Sequence, residues 1–212
     1  AGDVYLREGY SMSDVFTTGI LQRGRDGKLV EEGNGYQVDR SQRIRLGSAD
    51  PDFTMGWRHD INYKNISLGL MITGRFGGIV TSQTQAFMDA FGVSKVSAEA
   101  RDNGGVMLDG HRYDAERYYN TVGGQGLMSY YTYDATNVRL QELSLTYSLP
   151  KKWLGDVFNN ATISFVGRNL FMFYRKAPFD PDMNGSTGTY NRSDFFMAPS
   201  LRNLGFSIKF SL

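Results

Sequence analysis

The stretch FTMGWRHDINYKNISLGLMITGRF, residues 53–76, alternates with a period of two almost throughout. Phe53, Met55, Trp57, His59, Ile61 and Tyr63 fall on one side, and Thr54, Gly56, Arg58, Asp60, Asn62 and Lys64 on the other. The phase resumes as Ile66, Leu68, Leu70, Ile72 and Phe76 against Ser67, Gly69, Met71, Thr73 and Arg75. Successive side chains of a strand leave opposite faces of the pleated backbone, so this period predicts a strand with one apolar and one polar face. A two-residue turn at Lys64-Asn65 sets Tyr63 opposite Ile66, and the two apolar faces then match without adjustment. Each predicted strand is about twelve residues long, where strands of soluble sheets run nearer to about five or six. That length favours a hairpin that crosses a bilayer.

Working outward, Asn203 to Leu212 alternate in the same way, with Leu204, Phe206, Ile208, Phe210 and Leu212 on one side and Asn203, Gly205, Ser207, Lys209 and Ser211 on the other. Alone, this stretch fits the closing strand of a membrane barrel and a half-buried strand of a soluble sandwich equally well. A further strand is predicted over 138–149, ending at Pro150. Its apolar phase is even at Val138 and Leu140 and odd from Leu143 to Leu149, which predicts either a bulge near Gln141-Glu142 or a change of environment where a loop enters the membrane. A less regular one covers 161–173, with Ile163, Phe165, Phe171 and Phe173 on one face and Thr162, Ser164 and Arg168 on the other. There Asn169 falls on the apolar side, and Val166 and Leu170 on the polar side.

The connections alternate in length. A long one, residues 77–137, and a second, before residue 203, stand against the Lys64-Asn65 turn and the short segment 151–160. Long loops at one end of a sheet and tight turns at the other are the asymmetry of an outer-membrane barrel. Compact soluble domains rarely carry two such long irregular loops. Within the longest loop, 84–91 and 94–101 predict short helices, and Asp114 predicts the cap of another reaching Tyr119. Residues before Gly47 are rich in turns and predict a further large loop, with Val4 to Tyr10 as the outer end of a preceding strand.

Composition removes several classes. No apolar run approaches the roughly 18 residues of a membrane helix, and mean hydropathy is −0.38. A barrel stays open, because alternating strands average out as polar. Net charge is only +1, from 23 basic and 22 acidic residues, so no nucleic-acid footprint is present. There is no cysteine, which removes disulfides and thiolate metal sites. Tyr (13) and Phe (14) are plentiful while Pro (5) is scarce, a balance that favours β-structure with aromatic belts. Ala1 is not a start methionine and no signal pattern precedes it, so a processed chain or a fragment is expected.

Candidate chemistry is sparse. The two histidines, His59 and His111, are far apart and lack a ligand partner pattern; His59 is expected on the apolar face near the turn. No nucleophile elbow, phosphate loop or carboxylate pair stands out, so an enzyme is not expected, nor a cofactor. Asp180, Asp182 and Asn184, with Gly185, reproduce the first half of a calcium-loop spacing. Asn191 stands where the bidentate Glu belongs and Pro181 interrupts the start, so an Asx-rich turn is the better reading and a metal site the weaker one. Tyr113, Tyr118, Tyr119, Tyr130, Tyr131 and Tyr133 cluster in the long loop, where they either stack on a sugar or partner protein or pack within the loop itself. Arg58, Asp60, Asn62, Arg75, Glu142 and Arg168 lie on polar strand faces, which line the lumen in a barrel and face solvent in a sandwich.

Several segments together carry a resemblance: LGSADPDFTMGWRHDINYKNISLGLMITGRFGG (46–78), DAFGVSKVSAEARDNGGV (89–106), ATNVRLQELSLTYSLP (135–150), ATISFVGRNLFMFY with the following DPD (161–182), and APSLRNLGFSIKFSL (198–212). In order and spacing they resemble the C-terminal end of SusC/RagA-type TonB-dependent transporters. The resemblance implies an all-β chain, a transmembrane antiparallel β-barrel of about twenty-two strands. Residues 1–212 would supply its last five or six strands, with long extracellular loops that contain short helices. The plug domain, the TonB-contacting segment and the signal peptide would lie outside this chain. Such transporters sit in the Gram-negative cell outer membrane, in contact with its lipid. They import glycans or oligopeptides with energy from TonB, under a lid formed by a SusD-like surface lipoprotein. An even strand number would place the C-terminus in the periplasm and the long loops outside. The final residue, Leu212, departs from the usual aromatic ending; Phe210 stands two places earlier. Two other readings remain at this point, a soluble β-sandwich module that binds carbohydrate and a passive porin.

Overall fold

A computed structural model describes residues 3–4, 8–154, 158–182 and 193–211. The chain forms two compact units, one from Ala1–Asp50, Gly78–Asp134 and Met183–Ala198, the other from Pro51–Gly77, Ala135–Asp182 and Pro199–Leu212.

The second unit is a five-stranded antiparallel sheet of β1 (Phe53–Tyr63), β2 (Ile66–Phe76), β3 (Asn137–Ser148), β4 (Asn160–Arg175) and β5 (Asn203–Ser211). Each strand pairs with its neighbour in sequence, so the sheet is a meander. The β1–β2 hairpin has the predicted register, with Tyr63 opposite Ile66 and Phe53 opposite Phe76. Lys64 enables the two-residue turn by taking a left-handed φ of +51°. Asn65 then ties the turn to the end of β3: its side-chain amide donates to the Ser148 carbonyl at 2.8 Å, and its carbonyl accepts from the Ser148 amide at 2.8 Å.

One apolar face runs unbroken across all five strands. Ile61, Leu68, Leu145, Phe165 and Phe206 stand opposite one another in a row. Tyr63, Ile66, Tyr147, Ile163 and Ile208 form the next row. Large members of this face are open to the surroundings, Trp57 at 51% and Phe206 at 66%. An apolar patch of this extent is a surface made for a non-aqueous partner. Leu212, expected on the same face, lies outside the described residues.

The predicted bulge is present: on β2 Leu140 pairs opposite Ile72 and Glu142 opposite Met71, leaving Gln141 as the extra residue of β3. The bulge decides where charge goes. Without it Arg139 would share the phase of Leu143, Leu145 and Tyr147 and would sit among the apolar side chains. On β4 the partners of Leu140 and Glu142 leave Asn169 and Leu170 unmatched, and Asn169 turns left-handed at φ +53°. A second shift makes Phe173 the extra residue, so Tyr174 takes the place opposite Val138. The irregular phase of 161–173 is therefore two bulges in one strand. His59 is a correction: it lies in mid-strand opposite Leu70, stacked on Trp57 at 5.5 Å, and not near the turn.

In the first unit, Asp14–Leu21 and Val38–Ser48 form an antiparallel pair where a large turn-rich loop was expected. Glu8 to Tyr10 form a turn and bend, so the preceding strand does not run through to Tyr10. Three helices lie within a few residues of those read in the sequence, and Asp114 caps the third as expected: α1 (Gln83–Ala90) capped by Ser82, α2 (Lys95–Asp102) capped by Ser94, and α3 (Ala115–Val122) capped by Asp114. Each capping side chain accepts from the backbone N–H two or three residues into the helix, which satisfies a donor the helix itself leaves open. The core of this unit gathers Leu21, Leu29, Tyr36, Val122, Leu127 and Met128 around α3.

Candidate functional site

The face of the sheet opposite the aromatic one is polar, and all six charged or amide residues singled out in the sequence lie on it. Arg58, Met71, Glu142, Arg168 and Asn203 form one cross-strand row. Asp60, Gly69, Ser144, Val166 and Gly205 form the next, and Asn62, Ser67, Thr146, Ser164 and Ser207 the one nearest the Lys64-Asn65 turn. Arg75 stands apart at the far end, opposite Thr54 and Asn137. The charges pair locally. Arg58 forks onto Asp60 through Nε at 2.9 Å and Nη2 at 3.2 Å, and Arg168 Nε donates to Glu142 at 2.9 Å. Gly69 makes room for this row, because a Cβ there would lie 2.6 Å from Ser144 Oγ and 2.9 Å from Asp60 Oδ1. The result is a strip of alternating charge with no net sign, able to hydrogen-bond polar solutes or another protein surface.

A second centre lies farther along the same face, and its key residue is not among those singled out in the sequence. Arg139 is 5% exposed. Its Nη2 donates to Asp180 Oδ1 at 2.9 Å and lies 2.6 Å from Asp182 Oδ2. Nε reaches Asn137 Oδ1 at 3.2 Å and Nη1 reaches Asn169 Oδ1 at 3.4 Å. A buried guanidinium is costly unless its donors are met by paired charge, and here they are. Asp180 Oδ1 also accepts the Asp182 backbone N–H at 3.1 Å, the Asx turn that the sequence favours. Burial opposes the charge on Asp180, but Ser200, the Asp182 amide and Arg139 together hold its carboxyl below the usual range. Burial dominates at Asp182 and raises its carboxyl, with Arg139 opposing. The metal reading of Asp180, Asp182 and Asn184 is corrected accordingly: both aspartates close on a guanidinium, which supplies the positive charge a cation would bring. Asn184 lies outside the described residues.

The tyrosine cluster in the first unit is corrected as well. Tyr113, Tyr118, Tyr119 and Tyr131 are each at most 8% exposed and belong to the core of that unit. Tyr113 Oη accepts the Leu29 amide at 3.1 Å, and Tyr118 meets Tyr119 edge-on at 5.2 Å. Burial first, and the nearby Asp89 charge second, push the Tyr131 phenol far up, so it stays neutral. Tyr130, at 38% exposed, and half-buried Tyr133 retain access to a partner. Tyr130 also accepts the Leu21 amide at 3.2 Å.

With this geometry in hand, similarity to known proteins is informative. No family model matches the chain. It is 29% identical over 188 residues to TonB-dependent receptor P3 of Formosa agariphila, covering 84% of this chain and 18% of that protein. It is 26% identical over 156 residues to TonB-dependent receptor P26 of the same organism, covering 72% of this chain and 15% of that one. The chain thus spans less than a fifth of the length of the curated relatives it matches. Among solved structures, the RagAB peptide importer in the 'open-open' state superposes with a TM-score of 0.63 at 15% identity, covering 98% of this chain and 24% of that one. The RagAB peptide transporter gives a TM-score of 0.57 at 13% identity, covering 93% and 22%. At those identities the structural match speaks for the fold alone. A meander with one continuous apolar face and this double similarity agree: the chain is similar in sequence to receptors named TonB-dependent and shares its fold with part of the RagAB importer.

Proposed function

We propose that this chain is the C-terminal wall of an active importer that takes up glycans or oligopeptides under a SusD-like lipoprotein lid, driven through TonB. The observation that carries the proposal is the two-faced sheet. Its aromatic face suits lipid, and its opposite face carries the Arg58–Asp60 and Arg168–Glu142 pairs, which would line the lumen of a closed barrel. The long connections would then face outward, where a substrate and a lid meet the receptor, and the Lys64-Asn65 turn would face the periplasm. Similarity to receptors named TonB-dependent supports the energy source, and likeness to a peptide importer supports a solute of oligomeric size. On this reading the chain itself performs no bond chemistry. TonB would engage a segment of the receptor beyond these residues, and residues 1–212 would contribute the wall and the outer loops.

The test is uptake by cells that express the full-length receptor, using labelled oligopeptides and labelled oligosaccharides, with and without TonB. TonB-dependent uptake of either class is expected, together with co-purification of a surface lipoprotein. Uptake that persists without TonB would instead indicate a passive porin. A cooperative, detergent-free monomer formed by residues 1–212 alone would indicate the soluble sandwich.

A further inference from the structure

The regularity of β5 leaves its register under-determined. A slip by one residue would turn Phe206 and Ile208 to the polar face, but a slip by two leaves every side chain on its own face. Phe165 would then meet Leu204 or Ile208 in place of Phe206, and Ile163 would meet Phe206 or Phe210 in place of Ile208, large apolar groups in every case. In β1–β2 a two-residue turn excludes such slips. Between β4 and β5 the chain runs through residues 176–202, and the entropy of closing a connection that long barely changes when it shifts by two.

We propose that the Arg139 cluster is the register lock for β5. It grips both arms of the connection. Asp180 and Asp182 lie on the outgoing arm and close on Arg139. On the incoming arm, the Ser200 hydroxyl donates to Asp180 Oδ2, and the Asn169 side-chain amide donates to the Leu201 carbonyl at 3.4 Å. Asn203 begins β5 two residues after Leu201, paired with Arg168, which precedes Asn169. The left-handed bulge at Asn169 places one amide so that its oxygen faces Arg139 and its nitrogen faces Leu201. A two-residue slip moves Ser200 and Leu201 along the strand by roughly 7 Å and breaks both links. The bulges, the buried arginine and the DPD segment thus act together, holding the incoming arm at one position on β4.

The lock is tested in the full-length receptor, with other cysteines replaced, by cross-linking cysteine pairs across β4 and β5. Ser164→Cys with Ser207→Cys reports the observed register, since these residues are directly paired. Ser164→Cys with Gly205→Cys or with Lys209→Cys reports the two slips. The double variant Asn169→Gly, Ser200→Ala keeps the left-handed backbone and the Arg139–Asp180 pair while cutting both links to the incoming arm. Loss of the two hydrogen bonds to the incoming arm, together with the Asn169 acceptor for Arg139 Nη1, is expected to shift the native-to-slipped cross-link ratio by about tenfold. Arg139→Leu is expected to shift it further, and Arg139→Lys, which keeps charge but loses the planar fork, to fall between. Undiminished native cross-linking with no slipped product, in both the double variant and Arg139→Leu, would overturn the proposal.

Discussion

A charge at Leu70 tests the facing of the sheet most directly. Leu70 lies near the middle of β2, opposite His59 on β1 and Leu143 on β3, within the continuous apolar face. Eleven residues separate the ends of β2 inclusively, which at about 3.4 Å each and a tilt near 45° spans roughly 26 Å of depth, about the height of a barrel's apolar band. Leu70 is four residues from one end and six from the other, so a guanidinium there lies close to the bilayer midplane. Arginine at that depth on the lipid face costs about 2–4 kcal/mol, a factor of roughly 30 to 1,000 in the folding equilibrium. Ser67, three residues away, points to the opposite face between Asn62 and Thr146, where an arginine meets water and hydrogen-bonding groups. Leu70→Arg is therefore expected to lower the midpoint of denaturant unfolding in lipid vesicles and to deplete the heat-modifiable band of the full-length receptor. Ser67→Arg is expected to stay within about 0.5 kcal/mol of the parent. Equal losses from the two substitutions would refute the assignment of faces.

Three further expectations concern local contacts. Asp14 is 3% exposed and receives Arg45 Nη2 at 2.7 Å; that hydrogen bond is the leading reason its carboxyl stays below the usual range, against the opposing effect of burial. Its stabilisation is complete above the ordinary aspartate value and is lost as pH falls through the lowered one, so acid melts of the parent should show a loss there that is absent in Asp14→Asn. Tyr131→Ala is expected to cost about 3–5 kcal/mol by emptying a buried aromatic site, while Phe91→Ala, at 77% exposed, should change thermal stability by no more than about 0.5 kcal/mol. Lys64→Gly should stabilise the β1–β2 turn slightly by relieving a left-handed residue, and Lys64→Val should weaken it by about 1 kcal/mol or more; hydrogen exchange at the Tyr63 and Ile66 amides reads both.

Local periodicity carries much of this fold. The hairpin at Lys64-Asn65 needed only the match of phases on either side of it, and the bulge at Gln141 needed only the flip of phase. What periodicity cannot carry is a contact between residues far apart in sequence. Arg139 meets Asp180 and Asp182 across forty-one and forty-three positions, with no spacing rule to announce it. The sign that was available was the bulge itself: a phase flip that takes Arg139 off an apolar face suggests that its charge is wanted on the other. The tyrosines show the converse limit. A run of amphipathic rings reads alike whether it faces solvent or packs inward, and only the fold shows that Tyr118 and Tyr131 are buried in the core of their unit.

The two edges of the sheet set a condition on how it could lie in a membrane. Among the described residues no strand pairs with the outer edge of β1 or of β5. About every second residue of an antiparallel edge strand leaves its N–H and C=O unpaired, which in water is a modest matter and a template for association. In lipid each unpaired group costs several kcal/mol, because no solvent replaces the missing partner. Two open edges of nine and eleven residues then cost tens of kcal/mol, on the order of what burying the aromatic face in lipid can return. A sheet with this face therefore persists in a membrane only when both edges are met and the ring closes. On the proposed reading the same closure would turn Arg58, Asp60, Glu142 and Arg168 inward, so the arrangement that removes the edges would also make the charged strip part of a lumen.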